Sequence, residues 1–244
     1  MKYGIISDIH SNHEALVAVF HNLGKVDKII CLGDIVGYGA NPNECTGKIR
    51  ETDAICIAGN HDLASVDLLD TQYFNSEAGK AIVWTSKQLN TENRYFLKKL
   101  KDSINFGHNI LAVHGSPGKL RWNYIADSLT AETIFRKYAF NILFIGHSHL
   151  AECFSEDKMG NKIHHQDLSC GGRFRILENR RYIINCGSVG QPRDGNPNAS
   201  YAVYDDNNKE ITIKRIKYPI NVAQKKILGA KLPEIFACRL SVGR

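Results

Sequence analysis

Short apolar runs alternate with amphipathic stretches along the first half of the chain. Residues 2–7 read as a strand, and the segment 12–23 places Ala15, Leu16, Val19, Phe20 and Leu23 on one helical stripe. A second strand is predicted over 28–32, a helix over 43–50 and a third strand over 54–58. Strand–helix–strand alternation of this kind predicts parallel pairing with covering helices. Residues 76–100 read as largely helical, and 109–113 and 141–145 as two more buried strands. The second half changes character, with alternating strands predicted at 181–184, 200–204 and 210–217 and Asp206-Asn207-Asn208 turning a hairpin between the last two. From about 219 the pattern predicts a helix followed by a tail. No repeat, low-complexity tract or proline-rich linker interrupts the chain, which reads as one domain over residues 1–244. A β-rich half joined to an α/β half predicts an α+β fold, two sheets packed face to face with helices outside.

The polar residues that matter stand where the buried strands stop. Gly-Ile-Ile-Ser runs into Asp8-Ile9-His10, and Ile-Ile-Cys-Leu into Gly33-Asp34-Ile35-Val36-Gly37. Ile-Cys-Ile-Ala runs into Gly59-Asn60-His61-Asp62, Leu-Ala-Val into His114-Gly115, and Leu-Phe-Ile into Gly146-His147-Ser148-His149. Ligands of open α/β sheets bind outside the carboxyl ends of the strands, so five such ends on one edge converge. In extended chain, residues i and i+2 point the same way, so Asp8 with His10, and His147 with His149, are each expected to aim two side chains at one place. Carboxylates, imidazoles and an amide oxygen suit manganese, iron or zinc better than calcium or magnesium. Each motif alone has a plainer reading. Asp-x-His occurs as a turn or surface pair, Gly-Asp-x-x-Gly as a loop, Asn60-His61-Asp62 as a helix N-cap, and His114 as a turn residue. Metal binding is indicated because all five occur in order, each after a buried strand.

Charge and composition narrow the function classes. The 31 Lys and Arg against 25 Asp and Glu leave a net +6, spread along the chain; the runs at 94–101 and 209–217 read as solvated faces rather than a nucleic-acid surface. Seven cysteines, an odd number without a C-x-x-C pair, read as thiols in a reducing compartment, and a cytoplasmic location is expected. The first strand begins so close to the start that no signal peptide is expected. No run of about 18 apolar residues predicts a membrane span. Nothing in the pattern specifies an oligomeric state.

The ordered set D-x-H, G-D-x-x, G-N-H-D, a lone His and G-H-x-H resembles the calcineurin-like metallophosphoesterase superfamily, over roughly residues 1–204. The resemblance implies a four-layer α/β/β/α sandwich of two mixed sheets. It implies two divalent metal ions, manganese first and iron, zinc or nickel as alternatives. Asp8, His10 and His149 would hold one ion, Asn60, His114 and His147 the other, with Asp34 bridging. The implied activity is hydrolysis of a small phosphorylated substrate, a phosphodiester or phosphomonoester, with a metal-bridging hydroxide as nucleophile. His61 would then stabilise or protonate the leaving oxygen, with Asp62 orienting it, and Asn60 and Arg193 would also face the substrate. Arg193 either contacts a substrate phosphate or pairs with Asp194 or Asp205. A non-catalytic metal-binding scaffold acting in protein interaction is the rival outcome for the same fold.

Two departures refine the resemblance. Gly33-Asp34-Ile35-Val36-Gly37-Tyr38-Gly39 lacks the arginine of the G-D-x-V-D-R-G segment typical of protein phosphatases, which points to the small phosphodiesterase-like branch. Asn185-Cys186-Gly187-Ser188 replaces the frequent Asn-Pro-Gly-Ser, leaving Cys186 as a structural cysteine or a thiol beside the metals. Loops 37–43, 115–127 and 190–198 are the expected specificity loops, and Tyr38, Trp122 and Tyr124 would either stack a base or pack.

Overall fold

A computed structural model describes residues 1–118, 122–157 and 162–244. The chain runs β1 (Lys2–Ile6), α1 (His13–Leu23), β2 (Lys28–Cys31), α2 (Pro42–Glu51), β3 (Ile55–Cys56) and α3 (Asn60–Ser65). After a 3₁₀ turn at Thr71–Tyr73 come α4 (Ser76–Gln88), α5 (Thr91–Lys98), β4 (Ser103–Phe106), β5 (Ile110–Val113), α6 (Ser128–Lys137) and β6 (Ile142–Ile145). The remainder is β7 (Ala151–Asp157), β8 (Ile163–Asp167), β9 (Gly172–Arg175), β10 (Arg180–Cys186), β11 (Ala199–Asp205), β12 (Glu210–Ile216), α7 (Ile220–Gly229) and α8 (Glu234–Val242).

The strands form two six-stranded sheets, ordered β3-β2-β1-β11-β12-β9 and β4-β5-β6-β10-β7-β8. Both are mixed. In the first, β1, β2 and β3 pair in parallel while β11 runs antiparallel to β1, with Tyr3 opposite Tyr204. In the second, β5, β6 and β10 pair in parallel and β7 is antiparallel to β10. The period-2 alternation of strand side chains then sorts the core into layers. Tyr3, Ile5, Ile30 and Leu32 of one sheet and Ile142, Phe144, Tyr182 and Ile184 of the other share one apolar cluster between the sheets. Their neighbours Ile6 and Cys31 point outward, to a cluster that includes Ala15, Leu16, Val19 and Leu23 of α1 and residues of α7 and α8. Leu143, Ile145 and Ile183 face α6 through Ala131, Ile134 and Phe135. This is the α/β/β/α sandwich that the resemblance implied.

Several elements differ from the sequence reading. The helix expected over 76–100 is two helices, because Asn90 caps the second: its side chain accepts the Asn93 N–H at 2.9 Å while its backbone is extended. Strands β4, β7, β8 and β9 and helices α3, α6 and α8 were not expected. The stretch taken as a C-terminal tail holds α8, packed through Phe236, Ala237 and Leu240. The 206–208 hairpin is present, with Asp205 opposite Glu210 and the Asp205 carboxylate accepting the Asn207 and Asn208 N–H groups at 3.1 and 3.2 Å. Among the described residues, no helix is long and apolar enough to cross a membrane.

Candidate metal centre

All five polar clusters lie together at the carboxyl ends of β1, β2, β3, β5 and β6, in a buried pocket that spans the sheets. The local backbone is not the extended chain expected from the i, i+2 spacing. Asp8, His10, Asp34, His147 and His149 all sit at positive φ, between 48° and 65°. This left-handed conformation costs on the order of 1–3 kcal/mol per non-glycine residue and concentrates at functional sites. Each strand therefore ends in a hook, and the hooks turn the side chains inward. Two glycines let the backbone approach the carboxylates. A Cβ at Gly59 would lie 2.0 Å from Asp34 Oδ1, and one at Gly146 would lie 2.6 Å from Asp8 Oδ2.

The side chains converge in groups with metal-ligand spacing. Asp8, His10 and His149 form one, and Asp34, His114 and His147 another; a third joins His10, Asp34 and His61. His147 and His149 thus serve different groups, correcting the expectation that they aim at one place. His149 Nε2 is 3.3 Å from Asp8 Oδ1, His10 Nε2 is 3.5 Å from Asp34 Oδ2, and His114 Nε2 is 3.2 Å from Asp34 Oδ2. Asp34 stands between the groups, and all these side chains are buried.

Four of these imidazoles, all but His61, are oriented from behind by a backbone carbonyl. Val36 O lies 3.1 Å from His10 Nδ1, Leu32 O 2.7 Å from His114 Nδ1, and Trp122 O 2.9 Å from His147 Nε2; Gln191 O accepts from His149 Nδ1. A ring that donates its N–H to a carbonyl presents the other nitrogen as a bare lone pair, the arrangement of metal-ligating histidines. Two such nitrogens, His10 Nε2 and His149 Nε2, face each other at 3.1 Å. Facing lone pairs repel, and a cation between them removes the conflict. Asn60 Oδ1 is buried without a hydrogen-bond partner, and His114 Nε2 faces the Asp34 carboxylate at 3.2 Å. Two buried carboxylates, bare imidazole nitrogens and an orphaned amide oxygen together fit divalent cations.

The surrounding polar atoms hold the loops. Asp8 accepts the His147 N–H at 3.2 and 3.1 Å, and Asp34 Oδ1 accepts the His61 N–H at 2.9 Å. Asn185 donates to Gly146 O and Ser148 Oγ, both at 2.8 Å, and Ser188 Oγ donates to Asp8 O at 2.7 Å. These two residues build the site, and their only sequence signal was the motif at a strand end. Cys186 belongs to the core between the sheets, where burial pushes its thiol up, and it stands in none of the groups with metal-ligand spacing.

Asp62 is placed differently from its expected role. Its oxygens accept the Gly59 N–H at 3.0 Å and the Val36 N–H at 3.1 Å, while His61 Nδ1 has no partner. Asp62 thus braces the start of α3 against the Asp34 loop and does not bond the His61 ring through Nδ1. Arg193 pairs with neither Asp194 nor Asp205. Asp194 is taken by Arg215 in a buried two-pronged pair at 2.7 and 2.9 Å, and Arg193 Nη2 reaches Gln191 Oε1 at 3.0 Å and Tyr38 Oη at 3.3 Å. Tyr38 is largely buried and packs against the His10, His61 and Phe236 rings. Tyr124 stacks on His147 with centroids 4.4 Å apart. An open cleft of about 240 Å³ gives access to the centre, lined among others by Asn60, His61, Tyr73, Tyr124, His147 and Arg193.

The charges are strongly perturbed. Burial pushes Asp8 up to about 6, against the nearby His114. Burial lowers His61 to about 4 and His147 to about 3. For His114 burial acts in the same sense, but Asp34 beside it outweighs burial and raises the ring to about 9. A group raised on folding contributes stability below its unfolded value, near 6.5 for histidine, and loses it as pH rises through the folded value. Asp62, pushed up to about 7 mainly by burial, acts in the same direction. Protein stripped of metal is therefore expected to melt several degrees lower at pH 8.5 than at pH 6.5 by calorimetry. Equal or higher melting at pH 8.5 would contradict a protonated His114.

A two-sheet sandwich with a carboxylate–imidazole pocket at its strand ends defines a candidate metal-binding protein. Residues 1–209 match the calcineurin-like phosphoesterase superfamily domain, and the chain belongs to that family. An uncharacterized protein of Methanocaldococcus jannaschii is 40% identical over 247 residues, covering 98% of this chain and 97% of that protein. A metallophosphoesterase from Sphaerobacter thermophilus superposes with a TM-score of 0.86 at 36% identity, covering 100% of this chain and 99% of that one. A hypothetical protein from Pyrococcus horikoshii shares the fold, with a TM-score of 0.79 at 19% identity over 100% and 98% of the two chains.

Proposed function

We propose that the chain hydrolyses a small phosphodiester or phosphomonoester with two divalent ions, manganese first and iron, zinc or nickel next. Asp8, His10 and His149 would hold one ion, Asn60, His114 and His147 the other, and Asp34 both. When bound, such ions supply Lewis-acid polarisation and activation of the attacking water at neutral pH. The observation that carries the reading is the convergence of carbonyl-oriented imidazoles and buried carboxylates beside an open cleft lined by His61 and Arg193.

The chain's own groups divide the remaining work. Arg193 Nε is buried without a partner, and its Nη2 is held by Gln191 and Tyr38, so the guanidinium is fixed with donor capacity left for phosphate oxygens. His61, neutral at pH 7 because burial lowers it, presents an N–H to charge growing on the leaving oxygen. The Asn60 amide is shared between the ion and the substrate side. A scaffold of the same fold has no use for His61 and a fixed Arg193 with unpartnered nitrogens beside the centre, which favours the enzyme.

The test is a manganese-supplemented panel of bis-p-nitrophenyl phosphate, p-nitrophenyl phosphate, cyclic nucleotides and dinucleoside polyphosphates. Activity is expected against at least one of them, lost on chelation and restored by added metal. Hydrolysis undiminished after verified metal removal would overturn the metal role. Metal-loaded protein inert on the whole panel would favour the scaffold.

A further inference from the structure

The two C-terminal helices lie beyond residue 209, where the family match ends, yet they reach the cleft. Phe236 of α8, 1% exposed, packs on the Tyr38 ring with centroids 4.6 Å apart. Tyr38 in turn touches the His10 and His61 rings at 4.4 Å each, sits at a φ of 52°, and lies under the Arg193 guanidinium at 5.6 Å. The loop that carries Arg193 is tied to the same hairpin. Gly195 N–H donates to Gly243 O at 2.9 Å, and a Cβ at Gly243 would lie 2.7 Å from the Asn196 backbone. Behind His10 and Asn12, the crevice is closed by Ala223 and Ile227 of α7 and Leu240 of α8. Asn12 also joins Gly190 O at 2.8 Å to the Tyr218 hydroxyl at 3.2 Å, just before α7.

We infer that the α7–α8 hairpin is a positioning element for substrate, acting through Phe236 on Tyr38 and thereby on Arg193. The proposal rests on the reading of Arg193 as the phosphate-contacting residue. Its physical basis is that Tyr38 is strained and has no room to relax. The ring is enclosed by His10 and His61 on the metal side and Phe236 on the helix side, and its hydroxyl is one of the two acceptors of Arg193 Nη2. Removing the Phe236 ring frees Tyr38 to move away from the cleft, and the arginine then loses the ring beneath it. The metal ligands are oriented from backbone carbonyls of Leu32, Val36, Trp122 and Gln191 and do not depend on Phe236 directly. Phe236 is therefore a positioning residue whose loss falls on substrate affinity more than on turnover.

The test compares Phe236→Ala, Phe236→Leu, Arg193→Ala and the double variant Phe236→Ala/Arg193→Ala, each loaded with manganese. Phe236→Ala is expected to raise KM, and the Kd for inorganic phosphate, by roughly tenfold with a smaller change in kcat, the scale on which modest misplacement acts. Metal content should stay at the parent value, and Phe236→Leu should restore KM. The double variant should bind phosphate no more weakly than Arg193→Ala, because the two residues act in series. Losses that multiply in the double variant would overturn the proposal, as would a Phe236→Ala protein with unchanged KM. An assay-independent measurement separates this from the hydrolase reading. In the same variants loaded with diamagnetic zinc, the Arg193 Nε–Hε resonance should shift in Phe236→Ala and not in Phe236→Leu, whether or not the protein hydrolyses phosphoesters. An unshifted resonance would overturn the coupling, whereas failure of the hydrolase reading appears as inactive wild-type protein.

Discussion

Asp34→Asn protein is expected to bind divalent metal at well under the wild-type stoichiometry and to hydrolyse phosphoesters on the order of a thousandfold more slowly, the scale of several kcal/mol of lost charge stabilisation. Asp34 belongs to two of the three groups of metal-competent side chains and lies 3.5 Å from His10 Nε2 and 3.2 Å from His114 Nε2. Asp8 lies farther from the same two nitrogens, 3.9 Å from His10 Nε2 and 3.8 Å from His114 Nε2, and belongs to one group. Loss of the Asp34 charge therefore weakens both ions together rather than one. Misfolding is a separate outcome with its own signature. Asp34 accepts the His61 N–H through Oδ1, a bond an asparagine oxygen can keep. Asp34 is also what holds His114 protonated, up to about 9 against burial. In Asp34→Asn both buried charges disappear, so the metal-free variant should melt no lower than metal-free wild type, and the decline between pH 6.5 and 8.5 should flatten. Elemental analysis and calorimetry decide the point. A variant that keeps the wild-type metal content at unchanged affinity would remove Asp34 from the bridging position.

The parts of this molecule legible in its sequence are those set by burial. Ala15, Leu16, Val19 and Leu23 face the outer core because a helical stripe has one way to bury itself, and the strands 142–145 and 110–113 are apolar because both faces are covered. The convergence of the candidate site was legible because the five strand ends carry an ordered series of metal-competent residues. The unexpected elements are those whose pattern is mixed. β7, Ala-Glu-Cys-Phe-Ser-Glu-Asp, buries Glu152 beside His165 at 2.8 Å, so its acids do not mark an exposed face. α8 buries Phe236, Ala237 and Leu240 but exposes Ile235 and Val242, which blurs its periodicity into that of a tail.

The geometry of these residues was less legible than their convergence. Spacing alone suggested pleated strands with i and i+2 co-directed, whereas the strand ends are left-handed hooks. A left-handed residue is recognisable from sequence mainly when it is glycine; here aspartate and histidine adopt it because the surrounding structure holds them there. The contribution of Phe236 was invisible for a different reason. It reaches the site through Tyr38, nearly two hundred positions away in sequence, and nothing local marks the contact. The bracing of the Asp34 loop by Asp62 was hidden likewise, since a carboxylate beside a histidine suggests a side-chain partner more readily than two backbone ones.

His61→Ala should retain the fold and the parent metal content while kcat falls by about 10²–10⁴, the typical contribution of an acid or charge-stabilising group at the leaving oxygen. His61 follows Asn60 at the start of α3, where successive side chains diverge by about 100° around the axis rather than alternating as in a strand. The two residues therefore reach different partners. Asn60 Oδ1 is left without one, and the His61 ring packs edge-on against Tyr38 and Phe74 at 4.4 and 5.0 Å on the wall of the cleft. Burial lowers its pKa to about 4, so at neutral pH it offers an N–H and no stored proton. The loss in His61→Ala should accordingly be largest for esters of alcohols and small for p-nitrophenyl esters, whose leaving group carries negative charge readily. Between pH 6 and 8 the parent's rate should not follow titration of this ring. A competing role exists on the same geometry, because His61 also lies within ligand distance of His10 and Asp34. In that role the variant would lose metal, and the loss would be equal for good and poor leaving groups. Metal analysis alongside rates on a series of aryl and alkyl phosphoesters separates the two. A His61→Ala protein that keeps its metals and hydrolyses the alkyl esters at the parent rate would leave His61 with no part in the reaction.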